Sequence, residues 1–250
     1  MTTPYDTAIA VILVVVLPLA ARRQFRTLLG RIAADGAAAR HRAYRRTIVR
    51  QWLLVALVVL AWTLAHRDIV TLGLALPRGW GFTAGSLLTG GLLVVLALQR
   101  RAIAGRPELR EAVRAKLRNV QPILPHGDDE VRRFARVALT AGICEEFLYR
   151  GFLTWYLAQH LPIGAAIVAS AVAFGLGHSY QGLRGVAQTG ALGLAMGLLC
   201  ALSGSLWLAM IAHAAIDLNA GRVAVLAFGP DALSRSSPAS PPSSVPSDER

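Results

Sequence analysis

Charge is what this chain is short of. Only 16% of its 250 residues are Asp, Glu, Lys or Arg, where a soluble domain carries about 25%. The shortage falls hardest on acids, with 14 Asp and Glu against 26 Lys and Arg. Cysteine is equally scarce: Cys144 and Cys200 both sit in apolar stretches. That excludes a disulfide framework and a CxxC metal site; a buried free cysteine packs as a small hydrophobe. The chain has no HExxH and no GxSxG, which removes the usual zinc-helix and serine-elbow signatures. It also shows no internal repeat.

What is present is apolar sequence in long runs. Hydrophobic residues make up 54% of the chain and mean hydropathy is +0.49. A bilayer span needs roughly 20 mainly apolar residues, and about seven segments qualify: 7–21, 50–66, 82–98, 133–157, 161–179, 185–202 and 205–227. Helices of a large soluble core would each keep a polar face, whereas these are apolar all round. The expected fold is therefore all-α, a polytopic membrane helix bundle.

The net charge of +12 is concentrated between the spans. Nine arginines from Arg22 to Arg50 face a single acid, Asp35, and a second basic stretch runs from Arg100 to Arg133. Loops rich in Arg and Lys stay cytoplasmic. Two spans separate these stretches, so both are expected inside, in contact with anionic lipid head groups, with the amino terminus outside. Nothing beyond charge points to nucleic acid, and no nucleic-acid partner is expected. Arg22 and Arg23 follow the first apolar run rather than precede it, which predicts an anchor and not a signal peptide.

The chain divides into three expected parts. Residues 1–130 hold N-terminal spans, basic loops and an amphipathic helix starting at Pro107, with acids first and bases later. Asp128, Asp129 and Glu130 are placed to cap the fourth span. Residues 131–228 form the membrane domain expected to carry the site. Residues 229–250 are rich in Ser and Pro and predict a disordered tail.

Ionisable residues inside hydrocarbon are costly and usually face a functional cavity. Six stand out: Glu145, Glu146, Arg150, His178, His213 and Asp217. All fall in the second half of the chain. Glu146 and Arg150 are four apart, so they share a helix face and pair. Glu145 is rotated by about 100° and stays available, and a carboxylate in such surroundings suits general-base work. Phe174 and His178 share a face, with Gly175 and Gly177 allowing close helix approach. His213 and Asp217 share another. Each piece also has a plainer explanation, as a packing pair, an interfacial histidine or helix–helix glue. Two chemistries fit the whole. In one, Glu145 and His178 polarise a water while His213 with Asp217 stabilises an oxyanion. In the other, His178 and His213 help hold a zinc ion whose water is the nucleophile.

At these residues the chain resembles the CAAX-protease and bacteriocin-processing (CPBP, or Abi) family, which carries EExxxR, FxxxH and HxxxN or HxxxD on successive membrane helices. Here the motifs stand as Glu145–Glu146 to Arg150, Phe174 to His178, and His213 to Asp217. The resemblance covers roughly residues 133–225. It implies an endopeptidase sunk in the membrane, with Glu145 as water-activating base paired with His178. It implies that His213 and Asp217 position water or the oxyanion, while Glu146 with Arg150 shapes the site. The departure is Asp217, where the best-studied branch has asparagine. An ionised aspartate only accepts hydrogen bonds, so it fits better as an orienting partner of His213 or as a metal ligand.

The expected activity is hydrolysis of a peptide bond in a membrane-associated protein or peptide: a CAAX-type tail, a leader or a sorting signal. No cofactor is favoured; zinc is the alternative. A non-enzymatic immunity or scaffold protein of the same fold and a proton-relay transporter are the competing classes. The arginine-rich, Ala/Leu-rich composition points to a bacterial cytoplasmic membrane. Counting rise along the helices leaves one tension. Glu145 and His213 fall near mid-membrane, and His178 nearer the cytoplasmic end. Either the fifth helix is short and tilted, or the boundaries are off by a turn.

Overall fold

The computed structural model describes residues 2–229, and every regular element among them is helical. The expected tail lies, from residue 230 onward, outside the described residues. The first helical element runs Pro4–Leu64, 61 residues, and breaks at Gly36. Gly36 has φ 53° and ψ −129°, a backbone conformation that a side chain disfavours. We treat its arms as α1 (4–35) and α2 (37–64). They fold back on each other, as the hydrogen bond from Arg50 Nη1 to Gln24 Oε1 at 2.8 Å shows. The stretch expected as a basic loop is therefore helical. Its alanines and arginines favour helix, and Gly36 supplies the one corner. At 1.5 Å rise, each arm is roughly 45 Å long, well beyond a hydrocarbon core of about 30 Å. The basic ends thus project past the membrane.

The other elements are α3 (Trp80–Gly105), α4 (Pro107–Leu117), α5 (128–158), α6 (Ile163–Gly177), α7 (Gly182–Ser203) and α8 (Leu206–Phe228). Each of the seven expected spans coincides with a helix, and three of them overrun its ends by one or two residues. Among the described residues, four helical elements are long and apolar enough to cross a membrane: Pro4–Leu64, Trp80–Gly105, Ser179–Ser203 and Leu206–Phe228. The first supplies two arms. The helix α5 begins with charged turns, and α6 is short, so neither stands out by apolar length alone. Large apolar side chains lie open on the outer faces, among them Leu19, Leu53, Leu87 and Val172. A soluble protein rarely exposes apolar patches on this scale; a lipid-facing surface requires it. The molecule is a polytopic helical membrane protein.

α4 is amphipathic as expected and buries no residue fully. It docks through Arg114 Nε, which donates to the Ala227 carbonyl at 2.5 Å. The acids before the fourth span make no side-chain cap, since Gly127 occupies the cap position. They sit in the first turn instead, where the helix dipole favours negative charge. Glu130 reaches across to α2. Its Oε1 accepts from Arg40 at 2.9 Å, and its Oε2 accepts from the His126 amide at 2.8 Å. Tyr44 Oη donates to the Ile123 carbonyl at 2.7 Å. These bonds bring the two basic regions together at one end of the bundle, consistent with a shared cytoplasmic side. At the other end, Asp6 is fully buried and pairs with Arg67 at 2.8 Å, whose guanidinium lies over Trp62 and Trp155.

Two features of the core position the site. The helices α5 and α8 make the most extensive contact in the bundle. Gly142 permits it: a Cβ there would lie 2.7 Å from Ala214 Cβ. Within α5, residues Phe147–Leu153 form a π-helical segment. The Tyr149 carbonyl accepts the Thr154 amide and two hydroxyls besides, Thr154 Oγ1 at 2.9 Å and Ser170 Oγ at 2.8 Å. Such segments recur at functional sites. Here it carries Tyr149 and Arg150.

Candidate active site

Glu146 is fully buried. Its Oε1 accepts from Arg150 Nη1 at 3.0 Å and from His213 Nδ1 at 2.7 Å. The pairing expected along the helix is present, and a second partner from α8 joins it. A buried carboxylate needs such partners to remain in the bundle. The Arg150 guanidinium is held on its other sides too. Its Nε donates to the Gly193 carbonyl at 3.3 Å, and its carbon lies 4.2 Å from the centre of the Phe174 ring. Gly193 leaves room for it, since a Cβ there would stand 2.8 Å from Arg150 Nη2.

Glu145, one residue earlier, has different neighbours. Its side chain is 19% exposed, and its Oε2 lies 4.0 Å from His213 Nε2. Its Oε1 accepts from Gln51 Nε2 at 2.6 Å. Gln51 comes from α2, and reading the sequence missed it. The available signal was weak: a polar side chain beside Arg50 at the start of an apolar run.

The two imidazoles are fixed as tautomers by what their Nδ1 atoms meet. Only a donor satisfies a carbonyl or carboxylate oxygen. His213 Nδ1 therefore carries a proton toward Glu146, and His178 Nδ1 donates to the Phe174 carbonyl at 2.9 Å. Both Nε2 atoms are left for other partners. His213 Nε2 lies 3.7 Å from Asp217 Oδ2. His213 and Asp217 share a face as expected, yet the shorter contact of His213 is with Glu146. The Phe174 ring spans the two imidazoles, its centre 4.8 Å from that of His178 and 5.9 Å from that of His213. Tyr149 packs edge-on against the same ring.

His178 is the residue that ends α6, which has only 15 residues. A short helix resolves the depth tension, because the chain turns at His178 instead of continuing outward. The Phe174 ring touches His178, His213 and Arg150, and His213 stands beside Glu145, Glu146 and Asp217. All the singled-out residues thus meet in one neighbourhood. Of the two glycines expected to ease helix approach, Gly175 does so: a Cβ there would meet the Val186 carbonyl at 2.7 Å. Gly177 faces only Tyr149 Oη, at 3.5 Å. Cys144 is fully buried among packed helices, and Cys200 is half-buried. Among the described residues, no group of three or more His, Cys, Asp and Glu side chains is arranged to hold a metal ion.

Residues 129–219 match the model of one family, described as type II CAAX prenyl endopeptidase Rce1-like. This segment is similar to the Rce1-like family. It runs from the first turn of α5 to two residues past Asp217, and so contains every motif residue. At family level this match supports a membrane-embedded protease of the CAAX-processing kind. No curated protein and no solved structure matches it.

Proposed function

We propose that the protein hydrolyses a peptide bond in a membrane-associated protein or peptide, with Glu145 as the general base. The observation that carries this reading is the contrast between two adjacent glutamates. Glu146 is fully buried, with its Oε1 taken by Arg150 and His213. Glu145 is steadied by a neutral amide and keeps Oε2 toward His213 Nε2 at 4.0 Å. That separation is too long for a direct hydrogen bond.

In this reading the water gives one hydrogen bond to Glu145 and the other to His178 Nε2, aiming its lone pair at the substrate carbonyl. Glu145 takes the proton as the carbon–oxygen bond forms. The carbonyl oxygen gains the negative charge on the side of His213, whose ring Asp217 orients. When the intermediate collapses, Glu145 returns the proton to the departing amine. Excluding bulk water strengthens each of these interactions. The substrate is a C-terminal tail, leader or sorting signal presented from the bilayer. We assign the protein to a bacterial cytoplasmic membrane.

The test is cleavage of a library of quenched fluorescent tail peptides by the purified protein in detergent. Wild type is compared with Glu145→Ala and His178→Ala, each with and without a zinc chelator. Activity lost in both variants and indifferent to chelation is the expected result. Activity lost on chelation and restored by zinc would make His178 and His213 metal ligands instead. Cleavage surviving Glu145→Ala would end the general-base assignment.

A further inference from the structure

At the basic end of the bundle, a cavity of about 300 Å³ opens between α2 and α5. Four guanidinium groups line it: Arg42 and Arg45 from α2, Arg133 and Arg136 from α5. Tyr44 and Ile48 give it an apolar side. The spacing explains the convergence. Residues 41, 44, 45 and 48 recur on one face of α2, and residues 133 and 136 on one face of α5.

These charges are poorly compensated. Arg42 pairs with Asp35. Among the described residues, no acid lies within ion-pair distance of Arg45, Arg133 or Arg136. The nearest buried acid, Glu130, is taken up by Arg40 and the His126 amide, with His41 Nε2 3.3 Å from its Oε1. Like charges brought together by two packed helices call for an anion between them. The planar fork of arginine matches phosphate oxygens in pairs.

We propose that this cavity binds the phosphate of an anionic phospholipid from the cytoplasmic leaflet. Its position favours a lipid over a soluble phosphate. The apolar runs of α2 and α5 begin after Arg50 and Arg136, so the cavity stands at head-group depth. It is open on the outside of the bundle, with Arg42, Arg45, Arg133 and Arg136 all exposed. Along α2 it grades from arginine to Ile48 in the direction in which the helix enters the bilayer. A glycerophospholipid has the same gradient from phosphate to acyl chain. The site is also coupled to the chemistry by one rigid element, since Arg136 and Glu145 are nine residues apart on α5, roughly 13 Å of helix.

The test needs no protease substrate. Full-length protein is reconstituted in phosphatidylcholine nanodiscs with and without phosphatidylglycerol, moved into detergent, and its retained lipid measured by native mass spectrometry. Wild type should retain phosphatidylglycerol in preference to phosphatidylcholine. Each basic contact at an anionic surface is worth roughly a factor of five, so Arg133→Gln with Arg136→Gln should weaken retention about thirtyfold. A double variant of equal charge loss elsewhere, Arg110→Gln with Arg118→Gln, should retain lipid like wild type. If the first pair fails to fold, Arg45→Gln with Arg42→Gln asks the same question from the other helix. Equal loss in the pocket and control variants would overturn the site, leaving only general surface charge. Retention blocked equally by millimolar inorganic phosphate, and a thermal shift with phosphate alone as large as with lipid, would reassign the cavity to a soluble phosphate ester and overturn the lipid proposal.

Discussion

Glu146 lies fully buried, with an arginine at 3.0 Å and an imidazole at 2.7 Å. Glu145, the residue before it, keeps 19% of its side chain exposed and meets an amide at 2.6 Å, with an imidazole nitrogen no nearer than 4.0 Å. The sole chemical difference is a step of about 100° around one helix. That step puts one carboxylate on the face where α5 meets α8 and the other on the face turned to α2. The first face is closed by Arg150 and His213 and works as structure. The second is lined by neutral or distant groups, which is what a base awaiting a proton needs. The pair teaches that adjacency in sequence says little about role, and that the partner from another helix decides it.

The contrast breaks most sharply at Glu146. Replacing it with Ala leaves Arg150 and His213 in the bundle without their common acceptor, a loss of about 3–5 kcal/mol for an orphaned buried charge. Glu146→Ala should collapse the melting temperature in detergent and abolish cleavage with it. A variant that melts like wild type would show that the buried network is dispensable. Glu145→Gln should behave in the opposite way. It keeps the shape and the bond to Gln51 while losing the base, so cleavage should fall by about 10²–10⁴-fold with little change in melting. If Glu145→Gln melts early and Glu146→Ala does not, the two roles are exchanged.

Gln51→Ala probes the link between the two halves of the molecule. It removes one hydrogen bond to a charged acceptor, worth about 1.5–3 kcal/mol. Cleavage should fall by roughly tenfold or more through the catalytic constant, with the apparent substrate affinity nearly unchanged. A change confined to substrate affinity would move Gln51 from positioning the base to lining the substrate path.

The contrast also separates what could be read in advance. The helical spans, the basic end and the motif residues were legible because the physics behind them is local. Apolar length marks a span, and an ionisable residue inside one marks a site. Glu146 with Arg150 follows from helical spacing alone. The bond from His213 to Glu146 was not legible, because spacing within α8 favours Asp217 and nothing in α8 announces that α5 is closer. Gln51 was hidden for the same reason: it is a common polar residue at a span boundary, and its partner lies 94 positions away. The basic stretch between the first two spans reads as a loop because arginine-rich sequence resembles a connection. Only Gly36 marks the turn, and a glycine at a corner looks like any other. The π-helical turn after Glu146 leaves no signature in composition at all.

Glu130 offers the mildest way to sharpen the comparison, since it is a third acid bound by arginine yet lies outside the membrane-spanning stretch. Burial pushes its carboxyl pKa up, but the hydrogen bonds from Arg40 and the His126 amide outweigh this and hold it below the ordinary glutamate value. The carboxylate is therefore favoured in the folded state. Its stabilisation is complete above the ordinary glutamate range and drains away as pH falls through that range toward the lowered value. Glu130→Gln removes this dependence while keeping the side chain's size. Melting followed from neutral pH downward should fall more steeply for wild type than for Glu130→Gln, so that the two curves converge in acid. Parallel curves would mean that Arg40 does not hold the carboxyl, and that the contact between the basic ends of the bundle rests on the bond from Tyr44 to the Ile123 carbonyl instead.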